Sequence, residues 1–227
     1  MFKTEKDLVK NITSNLKKNN VIGFSFQTNQ NKKIFHELKL GYGVPDVVVT
    51  HYNLPLELRS TYLEYFDILV LDFILLQKEV TIDIVARTTR SSMLKVRKSL
   101  EKLLKDDFIS VNNDLYKPNK PYQKILTQTF AIEAKLYSWK RALNQAYRYK
   151  WFSEQSFVFL PEENIAPAER NLKMFKQLEV GLASVKKDSI RVIYAPKPSD
   201  PISSNMHSVL NELVLHLERK PLGKFRL

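Results

Sequence analysis

Residues Thr129-Phe130-Ala131-Ile132 form an apolar, β-rich run that breaks directly into Glu133-Ala134-Lys135. A run of this composition reads as a buried strand, in which successive side chains alternate faces at about 3.3 Å per residue. Glu133 and Lys135 then share one face, roughly 6.6 Å apart, while Ile132 and Ala134 point into a core. Upstream, Pro45-Asp46 heads a second apolar run, Val47-Val48-Val49. An unpaired charge among such residues costs too much to keep without a use. Two carboxylates and an ammonium can therefore meet at one point of a sheet.

Those three residue types suit metal-dependent phosphodiester chemistry. Mg²⁺ takes oxygen ligands, keeps several waters and draws only one or two carboxylates from protein. Asp46 and Glu133 fit that role, and Ala134 completes the candidate metal set. Lys135 can orient a water or stabilise charge developing on a phosphate. Taken singly, Glu-x-Lys on a strand is an ordinary ion pair and Pro-Asp an ordinary turn. Their shared setting beside apolar strands gives them weight.

The segments Gly43-Val44-Pro45-Asp46-Val47-Val48-Val49 and Ala131-Ile132-Glu133-Ala134-Lys135, followed by Gln145 and Tyr149 in Trp139–Tyr149, resemble the PD-(D/E)XK nuclease superfamily. The likeness covers about residues 1–50 and 121–195. It implies that Asp46 and Glu133 hold Mg²⁺ or Mn²⁺, that Lys135 assists attack by water, and that Gln145 and Tyr149 approach the same site. It also implies a further glutamate near the N-terminus. Glu5 and Glu37 both qualify, and Glu37 is preferred because a hairpin before Gly41-Tyr42-Gly43 would bring it beside Asp46.

The chain has 227 residues, 44% of them hydrophobic, which is enough for a sizeable core in one large or two small domains. It has no cysteine, and its four histidines are scattered, so neither a disulfide framework nor a thiolate or zinc site is expected. No secretory signal, spanning segment or GxxxxGK[ST] phosphate loop is visible, and the expected compartment is the cytoplasm. A net charge of +12 favours a polyanionic partner. Between Leu136 and Lys150 the charged residues are Lys140, Arg141, Arg148 and Lys150, without an acid. With Tyr149, the first three are candidate nucleic-acid contacts; the alternative is a solvated helix face.

Residues 5–18 read as an amphipathic helix on Leu8, Ile12 and Leu16. Strands are expected near 23–27, 33–40 and 46–50. The pattern then turns helical. Tyr62–Leu76 predicts a helix, Thr81–Ala86 a short one, Thr88–Arg90 a turn and Ser91–Leu104 another helix, capped by Ser91 or Ser92. Residues 107–116 predict a hairpin around an Asn-Asn turn. This order resembles a winged helix-turn-helix inserted between the Asp46 and Glu133 strands. Its second helix would bring Arg90, Ser91, Ser92 and Lys95 to base edges, with Lys98, Lys102 and Lys117 facing phosphates or water. Equally, such modules bind proteins.

Beyond Glu133 the pattern predicts a buried parallel strand at 156–160, a helix over 167–178 stopped by Gly181, and a hairpin of 182–185 with 190–194. Trp139, Ala142, Leu143 and Ala146 form an apolar helix face suited to core packing. A Pro/Ser-rich linker precedes a stripe of Met206, Val209, Leu210, Leu213, Val214 and Leu217, which docks on the core or pairs two copies. The expected fold is α/β, a restriction-endonuclease-like mixed sheet flanked by helices (1–54 and 119–196), with a small winged-helix insertion (55–118) and a C-terminal linker and helix (197–227). The expected function is a Mg²⁺- or Mn²⁺-dependent nuclease acting on DNA, in all expectation an endonuclease, without a membrane partner. The alternatives are a DNA-binding regulator that no longer cuts and a structural subunit whose insertion binds protein.

Overall fold

The computed structural model describes residues 2–23, 31–55, 59 and 61–219. In chain order the elements are α1 (Glu5–Lys17), β1 (Val21–Ile22), β2 (Asn31–His36), β3 (Val47–Tyr52), α2 (Tyr65–Gln77), α3 (Ile82–Thr89), α4 (Met93–Lys105), β4 (Ile109–Asn112), β5 (Leu115–Pro118) and β6 (Leu126–Ala134). There follow α5 (Trp139–Arg148), β7 (Gln155–Pro161), α6 (Ala166–Glu169), α7 (Leu172–Leu178), β8 (Gly181–Val185), β9 (Ile190–Tyr194) and α8 (Ser204–Arg219). They divide into two compact units. The first takes residues 1–53 and 126–204; the second takes 54–125 and 205–227. No helix among the described residues is long and apolar enough to cross a membrane.

The first unit is a mixed sheet flanked by helices, in the order β1-β9-β8-β7-β6-β3-β2 among the described residues. Strands β6, β7 and β8 run parallel, while β3 joins β6 antiparallel with Val47 opposite Ile132. The two strands that carry Asp46 and Glu133 are therefore neighbours. Both faces of β3 are buried, which explains its unbroken apolar run. One face of the sheet (Val47, Val49, Phe130, Ile132, Ala134, Phe157, Phe159) packs with Leu8, Ile12 and Leu16 of α1. Helix α5 packs on β6 and β7 and buries Trp139, Ala142, Leu143 and Ala146. The Thr4 hydroxyl caps α1 by accepting the Asp7 N–H at 3.1 Å, which fixes Glu5 in the first turn.

Several boundaries differ from the sequence expectation for local reasons. Strand β2 stops at His36 because Glu37 takes φ 48°, and the expected strand over 23–27 lies outside the described residues after Gly23. The helix expected over 167–178 is split into α6 and α7. It ends on Glu179 in the left-handed region, not on Gly181. Gly181 belongs to β8, where the Phe157 ring occupies the space a Cβ would need.

In the second unit α2, α3 and α4 enclose a core of Ile68, Leu71, Ile74, Val80, Val85, Val96, Leu100 and Leu103. The β4–β5 hairpin turns at Asn113-Asp114, both with positive φ as a tight two-residue turn demands, one position later than the Asn-Asn pair suggested. Val80, between α2 and α3, bridges Tyr116 of the hairpin. Helix α3 is longer than expected and absorbs Thr88 and Thr89, leaving Arg90 as its left-handed cap.

Helix α8 belongs to this unit. Its buried residues are His207, Ser208, Leu210, Asn211, Glu212, Val214 and Leu215, so a polar stripe lies beside the apolar one. Glu212 is fully buried, paired with Arg59, and accepts the Leu63 N–H at 3.0 Å and the Tyr122 hydroxyl at 2.6 Å. Asn211 accepts the Ile125 N–H at 2.7 Å. Removing one partner of a buried charge network typically costs about 3–5 kcal/mol. Glu212→Ala should lower stability by an amount of that order in urea denaturation. A loss below about 1 kcal/mol, the scale of a surface pair, would show that α8 is held by apolar contact alone.

Candidate active site

Four oxygens converge on the Lys135 ammonium. Its Nζ lies 2.9 Å from Glu133 Oε1, 3.3 Å from the Ala134 carbonyl, 3.3 Å from Glu5 Oε2 and 4.0 Å from Asp46 Oδ2. The register of β3 against β6 brings Asp46 to the end of β6, and Asp46 Oδ2 accepts the Ala134 N–H at 2.7 Å. Glu133, 1% exposed, receives on Oε2 the Tyr149 hydroxyl at 2.5 Å. Tyr149 is itself buried, and the Val44 carbonyl, 3.3 Å from its hydroxyl, is the more distant acceptor of the same proton. Gly43, at φ 121°, leaves no room for a Cβ against the Tyr149 ring. The loop that delivers Asp46 and the tyrosine that orients Glu133 are thus packed on each other.

Burial, the largest cause, pushes the Glu133 carboxyl above its ordinary range, against the lowering effect of the Tyr149 hydroxyl; the Asp46 charge adds to the rise. Asp46 is also raised, first by burial, with Glu5 and Glu37 contributing against the Ala134 N–H and Lys135. Burial lowers Lys135, but the hydrogen bond and charge of Glu133, with Asp46 and Glu5, outweigh it and raise the ammonium. Lys135 is therefore a charged donor at neutral pH.

Of the sequence candidates, Asp46, Glu133, Ala134 and Lys135 are brought together. Glu37 lies beside Asp46, its N–H donating to the Asp46 carbonyl at 3.4 Å. Glu5, ranked second from the sequence, is the glutamate whose side chain reaches Lys135. Both line a hollow of about 620 Å³ with Lys6, Val9, Lys10, Thr13, His36 and Asp46. Gln145 is not in the carboxylate cluster. It faces a second hollow, of about 490 Å³, with Lys140, Arg141, Asn144 and Arg148, and its buried Oε1 has no hydrogen-bond partner. Tyr149, expected both to approach this site and to touch nucleic acid, is buried and donates to Glu133. The signal was present: Tyr149 follows Ala146 by three residues, on the apolar side of α5.

In the second unit, Lys102 is bound to buried Asp67 at 2.7 Å, Lys117 pairs with Glu79, and Lys95 lies 4.1 Å over the Phe66 ring. The Ser92 hydroxyl caps α4, and the Ser91 hydroxyl donates to the Thr89 carbonyl. Arg90 and Lys98 are exposed.

No group of three or more His, Asp or Glu side chains among the described residues is disposed to hold a metal ion. The oxygens of Asp46, Glu133 and Ala134 nevertheless surround a cation already, the ammonium of Lys135. Two carboxylates and a carbonyl form a donor set that suits a hard divalent ion. No family model, curated protein or solved structure matches the chain.

Because both carboxyls are raised in the folded state, their contribution to stability is fully present below the unfolded values, about 4, and is lost as pH rises through the folded values. Asp46→Asn and Glu133→Gln keep the shape and remove the charge. Each should melt above wild type at pH 8, by on the order of 1 kcal/mol, with the gap closing toward pH 4. Thermal melts across this range provide the check; a variant less stable than wild type at pH 8 would contradict this electrostatic account.

Proposed function

We propose that the first unit is a metal-dependent nuclease that hydrolyses DNA phosphodiester bonds, on a restriction-endonuclease-like sheet. The observation that carries it is the ring of Asp46, Glu133 and Ala134 oxygens around the Lys135 ammonium, next to a helix whose exposed side bears Lys140, Arg141 and Arg148. Asp46, Glu133 and the Ala134 carbonyl would hold Mg²⁺ or Mn²⁺. When bound, such an ion supplies Lewis-acid polarisation of a phosphoryl oxygen and a more acidic water.

The chain's own groups have separate tasks. Lys135, held protonated by its carboxylates, stabilises negative charge on the phosphate and does not take the water's proton. Tyr149 keeps its proton, pushed up first by burial and then by Glu133, and fixes Glu133 through Oε2 so that Oε1 stays toward Lys135. Exposed cations of α5 neutralise the strand's phosphates. Metal-dependent nicking or cleavage of circular and linear DNA should disappear with chelator and fall at least about a hundredfold in Asp46→Ala and Lys135→Ala. Unchanged cleavage in both variants would remove these residues from the chemistry, and tight binding by a wild type that never cuts would favour a regulator.

For the second unit we infer a winged helix-turn-helix, supported by the α2-α3-α4 order and by the hairpin bridged to Val80. Arg90 and Lys98, exposed near the start and middle of α4, are its first DNA contacts to test, since Lys95, Lys102 and Lys117 each already meet a partner within the chain. A specific observation also favours a protein partner: Ile84, Met93 and Leu94 are 45%, 41% and 65% exposed on α3 and α4. Arg90→Ala and Lys98→Ala separate the two. Each should weaken duplex binding and lower the salt slope by about one if it meets a phosphate. An unchanged slope in both would leave protein binding as the role of this unit.

A further inference from the structure

Tyr42 and Trp151 stack face to face, with ring centroids 4.2 Å apart and planes within 2°. Two aromatic pairs in the core of this unit are different in kind: Phe130–Phe157 and Trp139–Phe175 are tilted, with centroids 6.2 and 5.9 Å apart. Tyr42 is also 39% exposed, so this stack is at the surface. Glycines with positive φ, Gly41 and Gly43, flank it. Gly43 presses on the ring of Tyr149, whose hydroxyl holds Glu133, and Asp46 follows Tyr42 by four residues. Trp151 is fixed in turn by the short 3-10 turn Tyr149–Trp151 and by the Ser203 N–H donating to its carbonyl at 3.0 Å. A surface aromatic stack, with Tyr42 exposed and Trp151 half-buried, is therefore joined to both carboxylate-bearing segments.

The charge pattern leads to the same place. Arg141, Asn144, Gln145 and Arg148 fall at i, i+3, i+4 and i+7, and all four line one hollow of α5. Trp151 lies three residues further on. A cationic stripe that ends at an aromatic stack is the combination that tracks a backbone while seating a base. A base inside a duplex is already stacked on both sides and offers no free face. The unmatched acceptor of Gln145 adds a place for a donor from the ligand.

We propose that the Tyr42–Trp151 stack seats an unpaired nucleobase, so that the first unit takes a single strand, or a strand end, at the Asp46–Glu133 cluster. This rests on the nucleic-acid reading above but not on cleavage. Stacking is indifferent to the sugar, so DNA and RNA strands share the chemistry.

The test runs in chelator, without turnover, on Trp139→Phe protein, in which Trp151 is the remaining tryptophan of two. An oligodeoxythymidylate of roughly 12 nucleotides and the matching oligouridylate are titrated against an abasic strand and a blunt duplex of equal length. Quenching of Trp151 by either base-bearing strand, with the abasic strand and duplex quenching little, is expected, and the stronger of the two names the sugar. Tyr42→Leu should weaken the unpaired strand about tenfold with duplex affinity and denaturation midpoint unchanged, and Tyr42→Phe should restore binding. Equal quenching by abasic and base-bearing strands, or unchanged single-strand affinity in Tyr42→Leu, would overturn the proposal and leave the stack as a staple for the loop. If Tyr42→Leu fails to fold, the comparison of strands on the Trp139→Phe protein still decides. Absence of metal-dependent cleavage would remove the nuclease and leave this result standing.

Discussion

A lysine ammonium caught among acidic oxygens at the end of a buried strand organises the first unit. Taking two carboxylates out of water costs several kcal/mol each unless charge and hydrogen bonds compensate. Here compensation is partial: Lys135 is shared among Glu133, Asp46 and Glu5, and the raised carboxyl values of Glu133 and Asp46 measure what is left over. The sheet exists in a form that tolerates this. Pairing β3 antiparallel to β6, within an otherwise parallel centre, delivers Asp46 to the β6 terminus without a crossover, and α1 and α5 cover the two faces that flank it.

The second unit contains a useful contrast. Glu212 is as deeply buried as Glu133, yet it is supplied with a guanidinium of its own, a backbone N–H and a tyrosine hydroxyl. That carboxylate holds elements together and has no capacity to spare. Glu133 has one hydroxyl and a portion of one ammonium, and under the nuclease proposed above that spare capacity is what a hard cation would use. Burial alone does not distinguish a structural acid from a chemical one; the degree to which its partners are exclusive does.

Much of this was legible in the sequence because strands buried on both faces give unbroken apolar runs. The runs at 47–49 and 129–132 could be strands, and a charge inside either needed a purpose, so Asp46, Glu133 and Lys135 could be named together. What escaped was tertiary. Glu5 and Glu37 are indistinguishable by type, and only the packing of α1 on β6 decides which reaches Lys135. The C-terminal stripe was read from its apolar residues, whereas the face that is buried includes Asn211 and Glu212, residues whose partners lie between 86 and 153 positions earlier. Lys95 and Lys102 illustrate the same limit: a basic helix face looks free until the Phe66 ring and Asp67 are placed under it.

Tyr149 touches each of these parts of the first unit. Its ring fills the gap left by Gly43, its hydroxyl orients Glu133, and the 3-10 turn it begins presents Trp151 to Tyr42. One buried phenol thus links the loop of Asp46, the strand of Glu133 and the surface stack. A change that moved the Tyr149 ring would shift the carboxylate and the stack together, because a packed interior transmits displacement and does not absorb it. Geometry at the carboxylate cluster and geometry at the surface stack are therefore set by the same contact, which is the arrangement the proposed reading requires if a bound base is to hold a phosphate in register with the carboxylates.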